Sequence, residues 1–485
     1  MQQDGKAFPG IVIAALRGGA GKTILSIGII AAWKNLKKNV APFKKGPDYI
    51  DAGWLAMAAS RPCYNLDNFL IEKKQILNSF YTHTLKSDIA VIEGNRGLYD
   101  GLDTEGSTST AELAKLLNLP VILCLDCTKS TRTMAAVVLG CIKFDPSVTI
   151  KGIILNRVAG PRHENIVRKS IENYCGIPVL GAVPKLGKQN FPERHMGLIP
   201  TPEHEWANDS INAALNMAKS YIDLESLIKV AHDSSFNMPK EKISKTEIII
   251  KKPETYKKSS STPKIGIIKD SAFQFYYPEN IDALVAAGAD TVFISPLKTN
   301  KIPYIDALYI GGGFPETHAK ELSENEQFRN ELKALAEDGL PIYAECGGLM
   351  YLGKELVLDN KSYQMAGVLP VVFGLSKKPK GHGYTIISVE RENKYFKKGS
   401  EIRGHEFHYS YVLEWNGNDE DLVFNMKKGN GFINKMDGVC YKNVLATYTH
   451  IHALGTPSWA KAMVSNAISY KKKHNSLPRI FTELH

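Results

Sequence analysis

A cysteine stands between a glutamate and two glycines in the stretch YAECGGLMYL, residues 343–352. A cysteine at a turn from a strand into a helix exposes its sulfur for nucleophilic attack, and a helix N-terminus lowers the pKa of a thiol. We therefore predict that Cys346 is a nucleophile with a lowered pKa. Gly312 and Gly313 of YIGGGFPE would offer backbone N–H donors to an oxyanion, and TYTHIHALG supplies His450 and His452 as candidate bases.

A second glycine-rich stretch, ALRGGAGKT at residues 15–23, follows an apolar run and precedes a helical pattern. Backbone N–H groups in such a loop bind phosphate oxygens, helped by the positive end of the helix dipole. The lysine would reach the β and γ phosphates, and the threonine hydroxyl would bind Mg²⁺. The predicted nucleotide-binding residues are Gly18, Gly19, Gly21, Lys22 and Thr23.

This loop departs from the common GxxxxGK[ST] pattern, because Leu16 stands where the first glycine is usual. Its shape resembles the GGxGK[ST] loop of the branch that includes partition ATPases and dethiobiotin synthetase. In the partition ATPases a lysine occupies the place of Arg17. The alternative is a glycine turn without a ligand.

Acidic residues follow two further apolar runs. Asp48 and Asp51 lie in KKGPDYIDAGW, while Glu93 and Asp100 lie in VIEGNRGLYDG. Ligands of an open parallel sheet gather at the carboxyl ends of its strands, and Mg²⁺ prefers oxygen ligands. We predict that Thr23, Asp48 and Glu93 form a magnesium site, whereas each acid taken alone could also be an ordinary helix cap.

Two histidine pairs, His405-x-x-His408 and His450-x-His452, raise the alternative of zinc. No CxxC accompanies them, although structural zinc sites usually have four clear ligands. We instead expect strand alternation to point one histidine of each pair inward.

The elements that must position these residues form two series. Short apolar runs alternate with helical stretches from Ile11 to Val183, which predicts a doubly wound parallel sheet of the α/β class. A segment rich in lysine, serine and proline then predicts a linker, and KIGIIKD opens a second α/β series with mixed strand directions. The predicted domains span residues 8–231 and 264–475, with the linker at 232–263.

Composition excludes several classes of protein. The chain has 485 residues, too many for one ordinary core, and its net charge of +10 accompanies no nucleic-acid-binding motif. No apolar run is long enough for a membrane span, and the N-terminus lacks the pattern of a signal peptide. Seven scattered cysteines indicate a reducing compartment. We predict a cytoplasmic protein that binds neither nucleic acid nor membrane.

The motifs YAECGGLMYL, GGGFPE and THIH resemble a class I glutamine amidotransferase domain, in which cysteine and histidine release ammonia from glutamine. Most of that class has a glutamate two residues after the histidine, where this chain has His452. That departure, and the order with the P-loop first, resemble the cobyrinate and cobyrate synthase family. Within the family, FKKGPDYID, RPCYNLD, EGNRGLYDG, DSAFQFYYPEN and GHEFHYS are similar to the cobyrinate a,c-diamide synthases.

The resemblance implies a glutamine-hydrolysing carbon–nitrogen ligase that uses ATP, Mg²⁺ and L-glutamine to amidate the a and c carboxylates of a cobyrinate-type corrinoid in cobalamin biosynthesis. It implies an N-terminal P-loop fold like that of dethiobiotin synthetase and a C-terminal class I glutaminase fold. By resemblance Cys346, His450, Asp48 and Asp100 are catalytic, and Gly312 and Gly313 bind the glutamine oxyanion. A homodimer is also expected.

The resemblance further implies that Asp48, Tyr49 and Asp51 lie where the substrate carboxylate meets the metal. Glu93 would be a metal ligand, and Asp100 would assist substrate handling. The carboxylate would become an acyl phosphate, which ammonia passed internally from the glutaminase domain then attacks.

Three alternatives stay open from the sequence. Ni-sirohydrochlorin a,c-diamide synthase of coenzyme F430 biosynthesis shares most of these motifs, and hydrogenobyrinate is another candidate substrate. A different class would be a partition-type ATPase fused to an inactive glutaminase domain. That class predicts loss of the thiol or its histidine, yet both Cys346 and His450 are present.

Overall fold

The structure is a computed structural model, and it describes residues 8–185, 193–194, 197–198, 206–233 and 262–475. The chain divides into two compact units, Met1–Glu247 and Ile248–His485. Most of the predicted linker lies outside the described residues, so the domain boundaries given above stay predictions.

Strands and helices alternate along the first unit. Its strands are β1 (Gly10–Ala15), β2 (Val40–Lys45), β3 (Tyr64–Leu66), β4 (Ile89–Glu93), β5 (Val121–Asp126), β6 (Ile150–Val158), β7 (Val179–Pro184), β8 (Glu193–Arg194) and β9 (Gly197–Leu198). Its helices are α1 (Lys22–Asn35), α2 (Tyr49–Ala59), α3 (Lys73–Thr84), α4 (Thr110–Leu117), α5 (Thr133–Phe144), α6 (Pro161–Cys175), α7 (Ala207–Tyr221) and α8 (Leu224–Asp233).

Strands β1 to β7 form one sheet in the order β3-β2-β4-β1-β5-β6-β7, and every neighbouring pair is parallel. All six residues of β1 are buried, as expected for a strand in a sheet that is covered on both faces. Trp33 of α1 and Trp54 of α2 are fully buried. The predicted doubly wound parallel fold is confirmed, and the carboxyl ends of β1, β2, β4, β5 and β6 share one edge.

The second unit has many more strands than helices. Its strands are β10 (Lys264–Ile268), β11 (Phe273–Phe275), β12 (Asp290–Ile294), β13 (Ala307–Ile310), β14 (Gly312–Gly313), β15 (Ile342–Glu345), β16 (Glu355–Leu358), β17 (Lys361–Gln364), β18 (Val371–Leu375), β19 (Gly381–Val389), β20 (Glu401–His408), β21 (Ser410–Trp415), β22 (Leu422–Lys428), β23 (Met436–Tyr441), β24 (Val444–Thr447) and β25 (His450–Ile451). Its helices are α9 (Pro278–Ala286), α10 (Ala319–Glu324), α11 (Glu326–Glu337), α12 (Gly347–Leu352) and α13 (Ser458–Asn475), with 3-10 turns at Pro315–His318 and Asp419–Asp421.

The main sheet of this unit has ten strands in the order β12-β10-β13-β15-β24-β23-β22-β19-β20-β25. The pairs from β12 to β24 are parallel and the rest are antiparallel, which confirms the predicted mixture. Leu308 and Ile310 lie in one apolar cluster while Ala307 and Tyr309 lie in another, so β13 is buried on both faces.

Strands β24 and β25 are almost adjacent in the chain but far apart in the strand order. The sheet therefore bends so that β25 lies beside β20 while β24 lies beside β15. This bend brings the end of β25 to the end of β15. Within the described parts of the chain, no helix is long and apolar enough to cross a membrane.

Candidate active sites

The glycine loop between β1 and α1 has the geometry of a phosphate-binding loop. Gly21 precedes α1 with φ 94°, a left-handed conformation that favours glycine. A Cβ atom at Gly21 would also collide with the side-chain amide of Asn156 on β6. That amide donates to the Ala20 carbonyl oxygen at 2.8 Å, and Cys124 Sγ donates to the same oxygen at 3.4 Å. Side chains of β5 and β6 thus hold the loop in place through hydrogen bonds to its backbone.

Lys22 and Thr23 open helix α1 at the edge where the sheet presents its strand ends. Lys22 Nζ donates to the carbonyl oxygens of Arg17 at 3.1 Å and Arg96 at 2.9 Å. Burial lowers the pKa of Lys22, and the nearby ammonium of Lys44 adds to that effect. Thr23 Oγ1 donates to Glu93 Oε1 at 2.9 Å, which joins the loop to the end of β4.

A buried lysine that the sequence prediction missed lies at the centre of the acidic residues. Lys44 Nζ, at the end of β2, is 2.6 Å from Glu93 Oε1, 2.7 Å from Asp51 Oδ2 and 4.0 Å from Asp48 Oδ2. Burial alone would lower the pKa of Lys44, but Asp51 and Glu93 outweigh it and raise the pKa well above its ordinary value. The signal was available in KKGPDYID, since a lysine ended the same strand that delivers Asp48 and Asp51.

The three carboxyl groups around Lys44 are electrostatically distinct. Burial raises the pKa of Glu93 to about 7 despite Lys44. Burial and the neighbouring Asp51 raise the pKa of Asp48. Burial also acts to raise the pKa of Asp51, but the hydrogen-bonded Lys44 outweighs it and the net direction is downward. The structure thus brings together Asp48, Asp51 and Glu93 as predicted from their strand ends.

Oxygen atoms of the kind that Mg²⁺ prefers as ligands lie beside the phosphate loop. Glu93 Oε2 is buried without a hydrogen-bond partner, and Thr23 Oγ1 and the partly exposed Asp48 carboxylate are further oxygen donors. Among the described residues no group of three or more His, Cys, Asp or Glu side chains converges as a ready metal cage. This result agrees with the ion pairs described above, because the carboxylates of Asp51 and Glu93 contact the Lys44 ammonium.

The remaining predicted residues of this half have ordinary local roles as well. Asp48 caps helix α2, since its side chain accepts from the Asp51 N–H at 3.0 Å, and Tyr49 is the first, half-buried residue of that helix. Asp100 is exposed, and its carboxylate accepts from the Gly97 N–H at 2.8 Å. Asp100 therefore closes its own loop and makes no contact with the Lys44 cluster.

A second set of ion pairs, centred on Asp126, also contacts the glycine loop. Asp126, the last residue of β5, pairs with Arg17 at 2.9 Å and with Arg157 at 2.7 Å. Arg157 also donates to the Gly19 carbonyl oxygen at 3.1 Å. The sequence prediction missed Asp126 although it ends a strand in the same way as Glu93.

In the second unit, Cys346 forms the turn between β15 and α12. Its φ of 48° and ψ of −99° are strained for a residue with a side chain, as in a nucleophile elbow. The Cys346 N–H donates to the Thr447 carbonyl oxygen at 2.7 Å, and Sγ lies 3.9 Å from the Phe407 carbonyl oxygen. A Cβ atom at Gly347 would lie 3.0 Å from the Gly313 nitrogen, so the glycine strip runs directly beside the elbow.

The predicted lowering of the thiol pKa is wrong. Burial raises the pKa of Cys346, and the carboxylate of Glu316 raises it further. The Gly347 N–H acts in the opposite direction but is outweighed, because only 4% of Cys346 is exposed. The resting thiol is therefore neutral and needs a base to become a nucleophile.

His450 on β25 lies against the same glycine strip. A Cβ atom at Gly312 would overlap His450 Cε1 and lie 3.2 Å from Nε2. The His450 ring stacks on His405 of β20 with ring centroids 4.9 Å apart. Its Nδ1 lies 3.3 Å from Oε2 of Glu345, a residue to which the sequence prediction gave no role although it precedes the nucleophile.

The expectation that each histidine pair points one member outward is also wrong. His405 and His408 are each 6% exposed, His450 is 2% exposed and His452 is fully buried. His405 and His408 lie on opposite faces of β20, which are both covered, and His452 follows the end of β25 in a buried position.

Comparison with known proteins matches both halves. Residues 11–198 match the CobQ/CobB/MinD/ParA nucleotide binding domain, and residues 264–458 match the CobB/CobQ-like glutamine amidotransferase domain. The first match includes Lys22, Lys44 and Glu93, and the second includes Cys346 and His450.

Several curated proteins resemble the chain over nearly its whole length. The cobyrinate a,c-diamide synthase of Magnetococcus marinus is 40% identical, covering 93% of this chain and 96% of that protein. The proteins with the same name from Archaeoglobus fulgidus and Methanobrevibacter smithii are 37% and 38% identical, covering 96% and 94% of this chain and 98% of each relative. The resemblance inferred from the motifs is confirmed, and the chain belongs to the cobyrinate a,c-diamide synthase family.

Proposed function

We propose that the chain is an ATP- and glutamine-dependent ligase that amidates the a and c carboxylates of cobyrinate in cobalamin biosynthesis. The observation that carries this proposal is the presence of two complementary sites in one chain. The first unit joins a phosphate loop to buried carboxyl groups, and the second joins a strained cysteine to a histidine and a glycine strip. The names of the full-length relatives support cobyrinate as the substrate.

The second unit would release ammonia from glutamine. His450 takes the proton of the Cys346 thiol, and the sulfur attacks the side-chain amide carbon of glutamine. The Gly313 N–H, beside the elbow, would donate to the oxyanion that forms. The histidine then gives the proton to the amide nitrogen as the C–N bond breaks, so that ammonia leaves, and water hydrolyses the remaining glutamyl thioester.

The first unit would activate the substrate carboxylate. A carboxylate oxygen attacks the γ-phosphorus of ATP, ADP leaves, and an acyl phosphate results. Lys22 and the N–H groups of the loop at Gly18, Gly19 and Gly21 would bind the phosphates. Thr23, Asp48 and Glu93 would hold Mg²⁺, which supplies positive charge to the phosphate oxygens. Ammonia then attacks the acyl carbon and phosphate leaves.

Tyr49 and Asp51 are proposed to bind the corrinoid substrate, and Asp48 and Asp100 are proposed to be catalytic residues in the activation of its carboxylate. The net charge of +10 is that of the whole chain, and it suits the attraction of a substrate with many carboxylates. We also propose a cytoplasmic location, supported by the seven cysteines, which are all free thiols. The homodimer stays a prediction for which sedimentation analysis is the test.

Two variants test the division of labour between the units. Cys346→Ser should lose glutamine-dependent amidation of cobyrinate and keep amidation with ammonium salts. Lys22→Ala should lose amidation with either nitrogen source. Cys440→Ser, at a half-buried cysteine on β23, is the matched control and should keep both activities. Glutamine hydrolysis at the parent rate in Cys346→Ser, or amidation by Lys22→Ala, would overturn the proposal.

A further inference from the structure

Glu345 is a completely buried carboxylate directly before the nucleophile in the chain. Its Oε2 accepts from the Tyr309 hydroxyl at 3.1 Å and lies 3.3 Å from His450 Nδ1. Its Oε1 accepts from the Ile451 N–H at 3.2 Å. A buried charge is tolerated where its oxygens are hydrogen-bonded, and here one of the donors is the ring of the base.

This contact selects one tautomer of His450. A carboxylate oxygen only accepts, so the hydrogen-bonded Nδ1 carries a proton and Nε2 keeps its lone pair. The Cε1–Nε2 edge of the ring faces Gly312 on the glycine strip, where the glutamine amide would lie. The orientation of the ring therefore suits a base that accepts the thiol proton through Nε2.

The other buried glutamate near the THIH motif serves a different histidine. Glu279 Oε1 of α9 lies 3.6 Å from Nε2 of His452, the residue at the position where most class I glutaminases have glutamate. His452 Nδ1 in turn accepts from the Leu454 N–H at 3.2 Å. Glu279 is therefore an acidic partner of His452.

A second imidazole lies against the His450 ring and supplies no negative charge. His405 of β20 stacks on the ring, and burial together with His450 and His452 lowers the pKa of His405 well below its ordinary value. Glu345 from β15 is thus the acidic partner that faces His450, with Tyr309 from β13 bonded to the same carboxylate.

We propose that Glu345 is the positioning residue that orients His450 for glutamine hydrolysis. The last residue of β15 and the elbow that follows it would then supply both the orienting carboxylate and the nucleophile. When the thiol proton moves to Nε2, Glu345 stabilises the resulting imidazolium and keeps its own charge; the proton leaves with ammonia. This inference rests on the proposed glutaminase function of Cys346 and His450.

Glu345→Gln tests the charge while it preserves the size of the side chain. Glutamine hydrolysis should fall by about 10²- to 10⁴-fold in kcat with little change in KM, the range expected when the orienting acid of a triad is neutralised. The acidic limb of the kcat/KM profile should move to lower pH, because the imidazolium loses its carboxylate partner. Glu345→Asp should recover part of the rate. Amidation with ammonium salts should persist and shows that the variant is folded.

Glu279→Gln is the matched control, since it neutralises the other buried glutamate beside the THIH motif. It should keep glutamine hydrolysis within a few-fold of the parent and leave the pH profile unchanged. The inference is overturned if Glu345→Gln retains the parent rate and profile, or if Glu279→Gln loses as much activity.

Nitrogen NMR of the parent protein with ¹⁵N-labelled histidine provides a readout that needs neither activity nor a folded Glu345 variant. The His450 signal, assigned by its loss in His450→Asn, should show protonated Nδ1 and unprotonated Nε2. The opposite tautomer overturns the inference. A parent protein with this Nδ1–H tautomer but no glutaminase activity would refute the proposed function while the orientation by Glu345 stands.

Discussion

Lys44 holds a positive charge within hydrogen-bond distance of the Asp51 and Glu93 carboxylates. Its ammonium is 2% exposed, so the cluster would otherwise bury negative charges close together. Lys44 thereby keeps Asp51 and Glu93 near the phosphate loop. The same contacts make it a determinant of stability as well as of ligand binding.

Lys44→Met should destabilise the protein by about 3 kcal/mol, because removing one partner leaves buried carboxyl groups uncompensated. The control is Lys442→Met, which breaks an exposed ion pair with Glu337 and should leave the free energy of unfolding nearly unchanged. Urea unfolding followed by circular dichroism measures both. Equal free energies of unfolding for the two variants would refute the structural role of Lys44.

Protonation of Glu93 should be linked to magnesium binding. Because burial raises the pKa of Glu93 to about 7, this carboxyl group carries a proton in part of the molecules near neutral pH. A bound cation favours the ionised form, so binding releases that proton, and the release diminishes as the pH rises above the pKa. Without the cation, the folded state holds this proton more tightly than the unfolded state does. The stabilising contribution of Glu93 is therefore present below its unfolded pKa and is lost as the pH rises through about 7.

Calorimetric titration of Mg²⁺ in the presence of ADP, in buffers of different ionisation enthalpy, measures the protons released. The parent protein should release more protons on Mg²⁺ binding than Glu93→Gln does, and this difference should be larger at pH 6.5 than at pH 8.5. An excess that does not depend on pH would contradict the assignment of Glu93 as a ligand.

Among the elements, the turn from β24 to β25 positions His450, the proposed base. Asp437 on β23 accepts from Thr447 Oγ1 at 2.7 Å and from the N–H groups of Tyr448 and Thr449 at 3.1 and 3.3 Å. These bonds fix the residues that lead into His450. One buried carboxylate thus joins β23 to the turn between β24 and β25.

Asp437→Asn should destabilise the protein by about 2 kcal/mol, since an amide NH₂ would replace one acceptor oxygen among these donors. Glutamine hydrolysis should also fall relative to ammonium-dependent amidation. The exposed Asp359 provides the control, and Asp359→Asn should leave thermal stability unchanged. Asp437→Asn with the parent melting temperature would show that the turn does not need the carboxylate.

Strand β14 also constrains the position of His450. It lies against the His450 ring and leaves no room for a side chain at Gly312. Gly312→Ala would place a methyl group on His450 Cε1, so it should reduce glutamine hydrolysis by about 10²-fold through displacement of the base. Gly140→Ala, at a helical glycine with open space around it, should retain activity. Glutaminase assays compare them, and an active Gly312→Ala would refute this close packing.

At the scale of the whole molecule, the features that depend on local sequence patterns could be predicted from the sequence. The alternation of apolar runs predicted the parallel sheet, and strand-end reasoning placed Asp48 and Glu93 together. The roles of Lys44 and Glu345 were not predicted, because they depend on contacts with residues 49 and 105 positions away along the chain. The thiol pKa was mispredicted because the burial of Cys346 depends on strands far along the chain.

The two units place ammonia production and carboxylate activation in one chain. Free ammonia would be protonated near neutral pH, so the account requires that nitrogen from glutamine reaches the acyl phosphate before it equilibrates with the solvent. Each of the a and c amidations would use one glutamine and one ATP.

The central claim is tested most directly by mass spectrometry of the product from cobyrinate. The reaction contains ATP, Mg²⁺ and glutamine labelled with ¹⁵N in its amide, in a buffer with unlabelled ammonium. The account predicts a diamide with ¹⁵N at both the a and c positions. No amidated product from cobyrinate, above all if Ni-sirohydrochlorin is diamidated under the same conditions, would contradict it.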